Sequence, residues 1–205
     1  MAIFWNTHGR ITPDVAQAHI IDLLSLSPPI TLPSPFEPKE ATLAPPPPLD
    51  TPDEHALRAL LLGITHRAAG HTADARRFLR DAHARHARIP STGSTWIGGV
   101  ALFELAVLEL RAEHNGEGGA SSSSEEEEEE GSSYGARELR VRVNALALDG
   151  PARARWNRVL KDAAALLDSA MSLSGSDVDL SSRLESRVAM LRDEIGLKRE
   201  MIGGS

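Results

Sequence analysis

The sequence predicts an all-α protein in which antiparallel helix pairs are stacked on one another. Apolar residues recur at steps of three and four along most of the chain, the spacing of one helix face. Threonine–proline pairs and glycines stand at the positions where such segments begin and end. Hydrophobic residues make up 41% of the chain but aromatic residues only 4%, so leucine and alanine must fill the core.

The first predicted helix begins at Thr12, whose hydroxyl can cap a helix that has Pro13 in its first turn. Its apolar face contains Ala16, Ile20, Leu23 and Leu24. Residues 1–27 therefore form an N-terminal helical region, and residues 28–50 a proline-rich linker. A stiff spacer is the favoured interpretation of the linker over an SH3 or WW ligand, because no basic anchor stands beside Pro45–Pro48.

Residues 51–205 are predicted to form the main helical domain. Thr51 and Glu54 have the spacing of a capping box, and the helix they open runs to about Ala69. Gly70 ends it, and a second helix starts at about Thr72. The two helices form a hairpin. Three further helices are predicted over Thr95–Glu113, Ala152–Leu173 and Leu180–Met201.

A low-complexity insertion at residues 114–135 separates two of these helices. Four serines and the run Glu125–Glu130 cannot bury a core, so disorder is expected there. Ser122, Ser123 and Ser124 each precede a glutamate by three residues, which makes them candidate phosphorylation sites for an acid-directed kinase. The following stretch, Ala136–Leu148, fits either a strand or a helix, and a short helix is favoured.

Composition excludes several functions. The formal net charge of -7 disfavours nucleic acid as a partner, and the absence of cysteine excludes disulfides and thiolate metal sites. The start has no signal-peptide layout, so a cytoplasmic location is expected. Trp96–Leu110 contains two glutamates and is too short to span a bilayer, which makes it a buried helix rather than a transmembrane segment.

No pattern of residues supports catalysis. The chain has no nucleophile elbow and no glycine-rich phosphate loop, so neither a catalytic residue nor a cofactor is predicted. His83 and His86 could share one helix face, but a solvated face is favoured over a metal site because only Asp81 lies near them. We therefore expect no metal and no enzymatic activity.

The hairpin has the residue spacing of a tetratricopeptide repeat of about 34 residues. Small residues at its contact positions would let paired helices approach closely, and Gly70 would permit a left-handed turn. A second repeat of the same kind is predicted, with the low-complexity insertion at its turn. The predicted packing residues are Gly63, Gly70, Ala75, Ala82, Ala106, Ala163 and Ala170.

In a stack of this type the first helices of the pairs line a concave surface, the usual binding face of such solenoids. The residues expected in this partner-binding groove are Leu57, Leu60, Ile64, Arg67, Val100, Phe103, Val107 and Arg111. The groove is mostly apolar and should prefer an apolar helix or extended segment of a protein partner. Alternatively, these residues pack against the N-terminal segment or the final helix of the chain itself.

Four segments carry a likeness to a known family: Phe4-Trp5-Asn6, Leu61-Leu62-Gly63, Ala101–Ala106 and Val178–Arg187. Together they resemble the C-terminal part of the fungal inclusion body clearance protein family, and the last segment is the most distinctive. Members of that family are considerably longer, so the chain is expected to be either a shortened paralogue or the product of a fragmentary gene model. The serine and glutamate insertion is not part of the family's pattern.

The resemblance implies a cytoplasmic and also nuclear adaptor that helps clear misfolded-protein inclusions in association with lipid droplets. The alternative function is a lipid-droplet or membrane-surface protein that binds through Ala136–Leu148, where Arg137, Arg140 and Arg142 would lie in the interface. Neither the residues nor the resemblance names the protein partner.

Overall fold

The computed structural model describes residues 11–26, 51–89, 96–116, 150–173 and 178–203. Within these ranges the chain is all-helical, as predicted. The helices are α1 (Pro13–Leu24), α2 (Pro52–Ala68), α3 (Thr72–His86), α4 (Trp96–His114), α5 (Gly150–Ser172) and α6 (Val178–Gly203).

Local side-chain hydrogen bonds fix the starts of α1 and α2. The amide of Val15 donates to the Thr12 hydroxyl at 3.4 Å. At α2 the Glu54 amide donates to the Thr51 hydroxyl at 3.3 Å, while the Thr51 amide donates to the Glu54 carboxylate at 3.1 Å. The predicted capping box is therefore confirmed. Each such cap stabilises its helix by about 1 kcal/mol.

The hairpin formed by α2 and α3 depends on two glycines. Gly70 has a φ of +82°, a left-handed conformation that side chains disfavour. Gly63 lies at a close approach of the two helices, since a Cβ placed there would be only 2.6 Å from Leu79 Cγ. The spacing of a glycine in α2 and a glycine in the turn thus sets the geometry of the hairpin.

Residue pairs across the interfaces show that consecutive helices are antiparallel. Between α3 and α4, Arg76 near the start of α3 contacts Glu109 near the end of α4, whereas His86 at the end of α3 lies against Gly98 at the start of α4. Similar pairs join α4 to α5 and α5 to α6. Helices two places apart, α2 with α4 and α4 with α6, also touch. The helices therefore form a stack.

Two groups of buried side chains form the core. The larger group draws on α2 to α6, and α4 contributes more residues to it than any other helix. The smaller group consists of Ile20 from α1, Leu62 from α2 and Phe78 from α3. The guanidinium of Arg58 also donates to the carbonyl of Leu26 just after α1, at 2.6 Å. The N-terminal helix thus packs directly on the first hairpin.

The central helix α4 is buried on nearly every side, as predicted for this apolar segment. A Cβ at Gly99 would lie 2.9 Å from a methyl of Leu184 and 3.1 Å from the carbonyl oxygen of Ala170. Both glycines at the start of α4 therefore allow neighbouring helices to approach. In the described part of the chain, no helix combines the length and apolarity that crossing a membrane requires.

Several predictions concern residues outside the described ranges. These are the proline-rich linker at 28–50, the insertion from residue 117 onwards with Ser122, Ser123 and Ser124, and the ambiguous segment Ala136–Leu148.

Candidate protein-binding surface

Most of the side chains expected in an open groove lie in the core instead. Leu60 is fully buried and Ile64 is 2% exposed, while Val100 and Phe103 are 7% and 5% exposed. An incoming partner could not reach these four side chains without displacing others. The prediction that they line an open apolar groove is therefore wrong, and the alternative of packing within the chain describes their position.

The final helix closes the expected groove at Phe103. The guanidinium of Arg187 in α6 lies over the Phe103 ring, 4.2 Å from its centroid. Leu184 and Val188 from the same helix join the core on either side of this contact. Phe103 is covered because α6 packs along α4.

The remaining expected groove residues differ in their accessibility. Leu57 and Val107 are half-buried and pack against the core, whereas Arg111 near the end of α4 is exposed. The side chain of Arg67 is only 7% exposed and is paired with Glu104. Of these four residues, only Arg111 is exposed.

A buried carboxylate lies next to the expected groove residues Phe103 and Arg67. Glu104 is fully buried, and its Oε2 accepts a hydrogen bond from Arg67 Nη2 at 2.6 Å. Its Oε1 accepts from Arg187 Nη2 at 2.8 Å. A buried carboxylate requires such partners, because isolated charge is costly to remove from water. This ionic cluster ties α2, α4 and α6 together.

The largest exposed apolar side chains lie instead on the outer face of α6. Met190 is 73% exposed and Leu197 is 59% exposed, and a separation of seven residues places them on one side of the helix. Met201 continues the row one turn further and is half-buried. We call Met190, Leu197 and Met201 the α6 stripe. The opposite side of the helix packs on the stack through Leu184, Val188, Ile195 and Ile202.

Carboxylates surround the α6 stripe. Asp193, Glu194 and Glu200 are exposed and stand between or beside its apolar members. Lys198 balances one of them, since its Nζ lies 3.0 Å from Glu194 Oε1. The surface offered by α6 is thus apolar along its centre, with three exposed carboxylates and Lys198 beside it.

The α6 stripe was missed by sequence reasoning, although a signal was present. The apolar pattern of Leu184, Val188 and Ile195 accounts for one face of this helix. Met190 and Leu197 fall off that face yet are large and apolar, which indicates a second apolar surface.

The predicted repeat-packing residues lie at helix contacts. Gly63 faces Leu79, and Gly70 forms the turn. The alanines among them are all fully buried: Ala75, Ala82, Ala106, Ala163 and Ala170.

Burial shifts two histidines of the first hairpin towards the neutral form. Burial lowers the pKa of His66 to about 4, with a smaller contribution from His71 and an opposing one from Asp74. Burial, aided by His83, also lowers the pKa of His86. The described residues contain no group of three or more His, Cys, Asp or Glu side chains able to hold a metal ion.

No protein-family model matches the chain, and neither curated proteins nor solved structures give a match.

Proposed function

We propose that the chain is a non-enzymatic helical-repeat adaptor that binds a protein partner. The order of the helix contacts supports this proposal. Consecutive helices are antiparallel, and α2 and α4, the first helices of two successive pairs, also touch each other. This arrangement, together with small residues at the helix contacts, is typical of tetratricopeptide-type repeats.

The exposure of the α6 stripe is the observation that carries the proposal. Met190 and Leu197 remain largely in water although the same helix buries its other face. Large apolar side chains in a row, rimmed by polar residues, mark interaction surfaces more often than single exposed side chains do. We therefore place the partner on the outer face of α6.

The charges around the stripe define the partner's chemistry. Asp193 and Glu194 lie between Met190 and Leu197, so a complementary segment carries a lysine or arginine between two apolar residues. An amphipathic helix with basic flanks meets this requirement. A second copy of α6 does not, because antiparallel pairing of Met190 with Leu197 would bring four carboxylates together at its centre.

The likeness to inclusion body clearance proteins supplies a setting for such an adaptor. In that setting the partner would belong to the machinery that recognises misfolded-protein inclusions. The lipid-surface alternative depends on Ala136–Leu148, which lies outside the described residues.

Site-specific photo-crosslinking in cells tests the proposal. A benzophenone side chain placed at Met190, and in a second variant at Leu197, should form the same covalent adduct with one protein. The adduct's crosslinked peptide should contain apolar residues spaced along a helix with basic residues beside them. Mass spectrometry identifies both.

A matched control uses Arg192, which is exposed on α6 but turned towards Asp168 of α5. A benzophenone at this position should give no adduct with that protein. Equal crosslinking from Arg192, or none from Met190 and Leu197, would argue against a binding surface on the outer face of α6.

A further inference from the structure

A second surface lies on a different part of the stack. The beginnings of α3 and α5 meet the end of α4 around a cleft of about 370 Å³. The cleft is lined by Thr72, Ala73, Arg76, Glu109, Ala112, Glu113, Arg155, Arg158 and Val159. We call it the arginine cleft. It shares no residue with the α6 stripe.

Two ion pairs hold the walls of the arginine cleft together. Arg76 donates two hydrogen bonds to Glu109, from Nε at 2.6 Å and from Nη2 at 2.7 Å. Arg155 Nε donates to Glu113 at 3.3 Å across the gap between α5 and α4. These hydrogen bonds fix the geometry of the cleft. Because the arginine and the glutamate of each pair neutralise each other, the net charge of the cleft comes from the remaining arginine.

That remaining arginine is Arg158, which has no hydrogen bond or ion pair within the described residues. Its side chain lines the cleft and is exposed to solvent. The cleft therefore has one cation more than it has anions. Arg155 adds hydrogen-bond donors, since half of its side chain is exposed and its 3.3 Å bond to Glu113 leaves the other guanidinium nitrogens available.

The dipole of α5 strengthens the positive potential. Both α3 and α5 begin at this end of the stack, and a helix N-terminus carries about half a positive charge, but Asp74 in the first turn of α3 offsets this charge there. The first turn of α5 contains no acidic residue, and Arg153, Arg155 and Arg158 follow within its first turns. Cations near a helix N-terminus are unfavourable unless an anion is close by. The cleft thus has the electrostatics of a site for a carboxylate-rich ligand.

We infer that the arginine cleft binds the chain's own acidic run, Glu125–Glu130. This run belongs to residues 117–149, which join the end of α4 to the start of α5. Both attachment points, Gly116 and Gly150, adjoin helix ends that line the cleft. The connection from Gly116 to Glu125 can extend over roughly 30 Å, so the run is able to reach Arg155 and Arg158.

Covalent connection favours this occupant over a separate one. A tethered segment acts at an effective concentration of about 1 mM, so even weak carboxylate–guanidinium contacts become populated. Phosphorylation at Ser122, Ser123 or Ser124 would add charge beside the run and strengthen binding to the same arginines. The inference does not depend on the proposed function, because it concerns a different surface and a different ligand.

Titration of the 205-residue chain with a peptide tests the inference. In the receptor, Glu125–Glu130 are replaced by six glutamines, which removes the resident ligand and keeps the chain length. A synthetic peptide with the sequence of residues 121–130 should bind this receptor and should bind the unmodified chain at least tenfold more weakly. A peptide with glutamine in place of glutamate should not bind.

Arg158→Gln, introduced into the receptor that carries the six glutamines, should lower the affinity for the peptide at least tenfold. This variant breaks no ion pair of the described residues, so circular dichroism should show an unchanged fold. Arg192→Gln, which removes an exposed cation from α6 instead, should leave the affinity unchanged.

Three outcomes would overturn the inference: no binding to the glutamine receptor, equal binding to the unmodified chain, or an equal loss with Arg192→Gln. A second readout uses the native Lys161, which is exposed three residues beyond Arg158. Carbodiimide should crosslink Lys161 to Glu125–Glu130 in low salt, and Lys198 on α6 should not react with that run. The reverse selectivity would place the run elsewhere.

Discussion

Arg187 joins the last helix to the centre of the stack by covering the ring of Phe103, with its guanidinium carbon 4.2 Å from the ring centroid. A cation–π contact of this kind contributes roughly 0.5 to 2 kcal/mol, more as the cation is desolvated. Because the same guanidinium also donates to Glu104, one side chain closes the surface between α2, α4 and α6. The accessible surface of α6 is therefore its outer face.

Replacing the buried carboxylate in Glu104→Ala should be strongly destabilising. Arg67 and Arg187 would each lose their anionic partner, and Arg67 is 7% exposed. Breaking a buried ion pair by removing one partner typically lowers the free energy of unfolding by about 3 to 5 kcal/mol. Urea denaturation followed by circular dichroism measures this change.

The matched control is Asp168→Ala, which removes the partner of Arg192 at an exposed position. Exposed ion pairs contribute about 0 to 1 kcal/mol, so this variant should unfold at nearly the wild-type urea concentration. If the two variants lost equal stability, Glu104 would not organise the contact between α2, α4 and α6.

A second prediction concerns the close approach of α2 and α3. The added methyl group in Gly63→Ala would meet Leu79 Cγ at 2.6 Å and the Leu79 amide at 3.1 Å. Overpacking at a helix contact costs about 1 to 3 kcal/mol, and the backbone amide of Leu79 cannot move aside alone. Thermal unfolding should show a lower Tm than that of the wild-type chain.

Gly196→Ala is the matched control, for which a change of Tm in the opposite direction is expected. Gly196 lies inside α6 with no other group within 4 Å of a Cβ, so alanine should stabilise the helix by about 0.5 to 1 kcal/mol. A Tm that rises in both variants would show that α2 and α3 do not approach each other at Gly63.

Local signals predicted the helices well. The helix cap formed by Thr51 and Glu54 and the turn at Gly70 involve only residues that are close in sequence. Such features can be deduced from sequence spacing alone. The predicted bounds of α4, α5 and α6 differ from the observed ones by no more than two residues at each end, the margin within which helix ends fray.

The candidate surface could not be predicted in the same way. α4 has buried residues on nearly every side, so its periodicity does not reveal which face remains accessible. The burial of Phe103 depends on Arg187, which lies far along the chain in α6. The arginine cleft likewise combines residues of α3, α4 and α5 that no local pattern connects.

The burial of Phe103 gives a third prediction. Phe103→Arg should prevent stable folding, because it removes an aromatic side chain from the core and places a cation beside Arg187. Removal of a core phenylalanine alone costs about 3 to 5 kcal/mol. Far-ultraviolet circular dichroism should show a weaker helical signal and no cooperative unfolding transition on heating.

Met190→Arg is the matched control, because it also replaces an apolar side chain with arginine but does so in the exposed α6 stripe. Since Met190 is 73% exposed, the variant should keep its stability to within about 0.5 kcal/mol of the wild-type value. Normal folding of Phe103→Arg would mean that α6 does not cover Phe103 in solution.

Acid should destabilise the first hairpin through His66. This side chain is fully buried and stacks on Phe78, with ring centroids 5.1 Å apart and planes 13° from parallel. Its pKa of about 4 in the folded chain lies below the ordinary value of 6.5 that it regains on unfolding. Between these two pH values the unfolded chain binds more protons than the folded chain, so stability falls as pH falls.

The Tm should therefore decrease between pH 7 and pH 4.5, by about 2 to 4 °C for each kcal/mol lost. His86 contributes in the same direction because burial also lowers its pKa. His66→Phe keeps an aromatic ring against Phe78 without the titrating group, so its Tm should depend less steeply on pH over this interval. An unchanged slope in His66→Phe would show that protonation of His66 does not oppose folding.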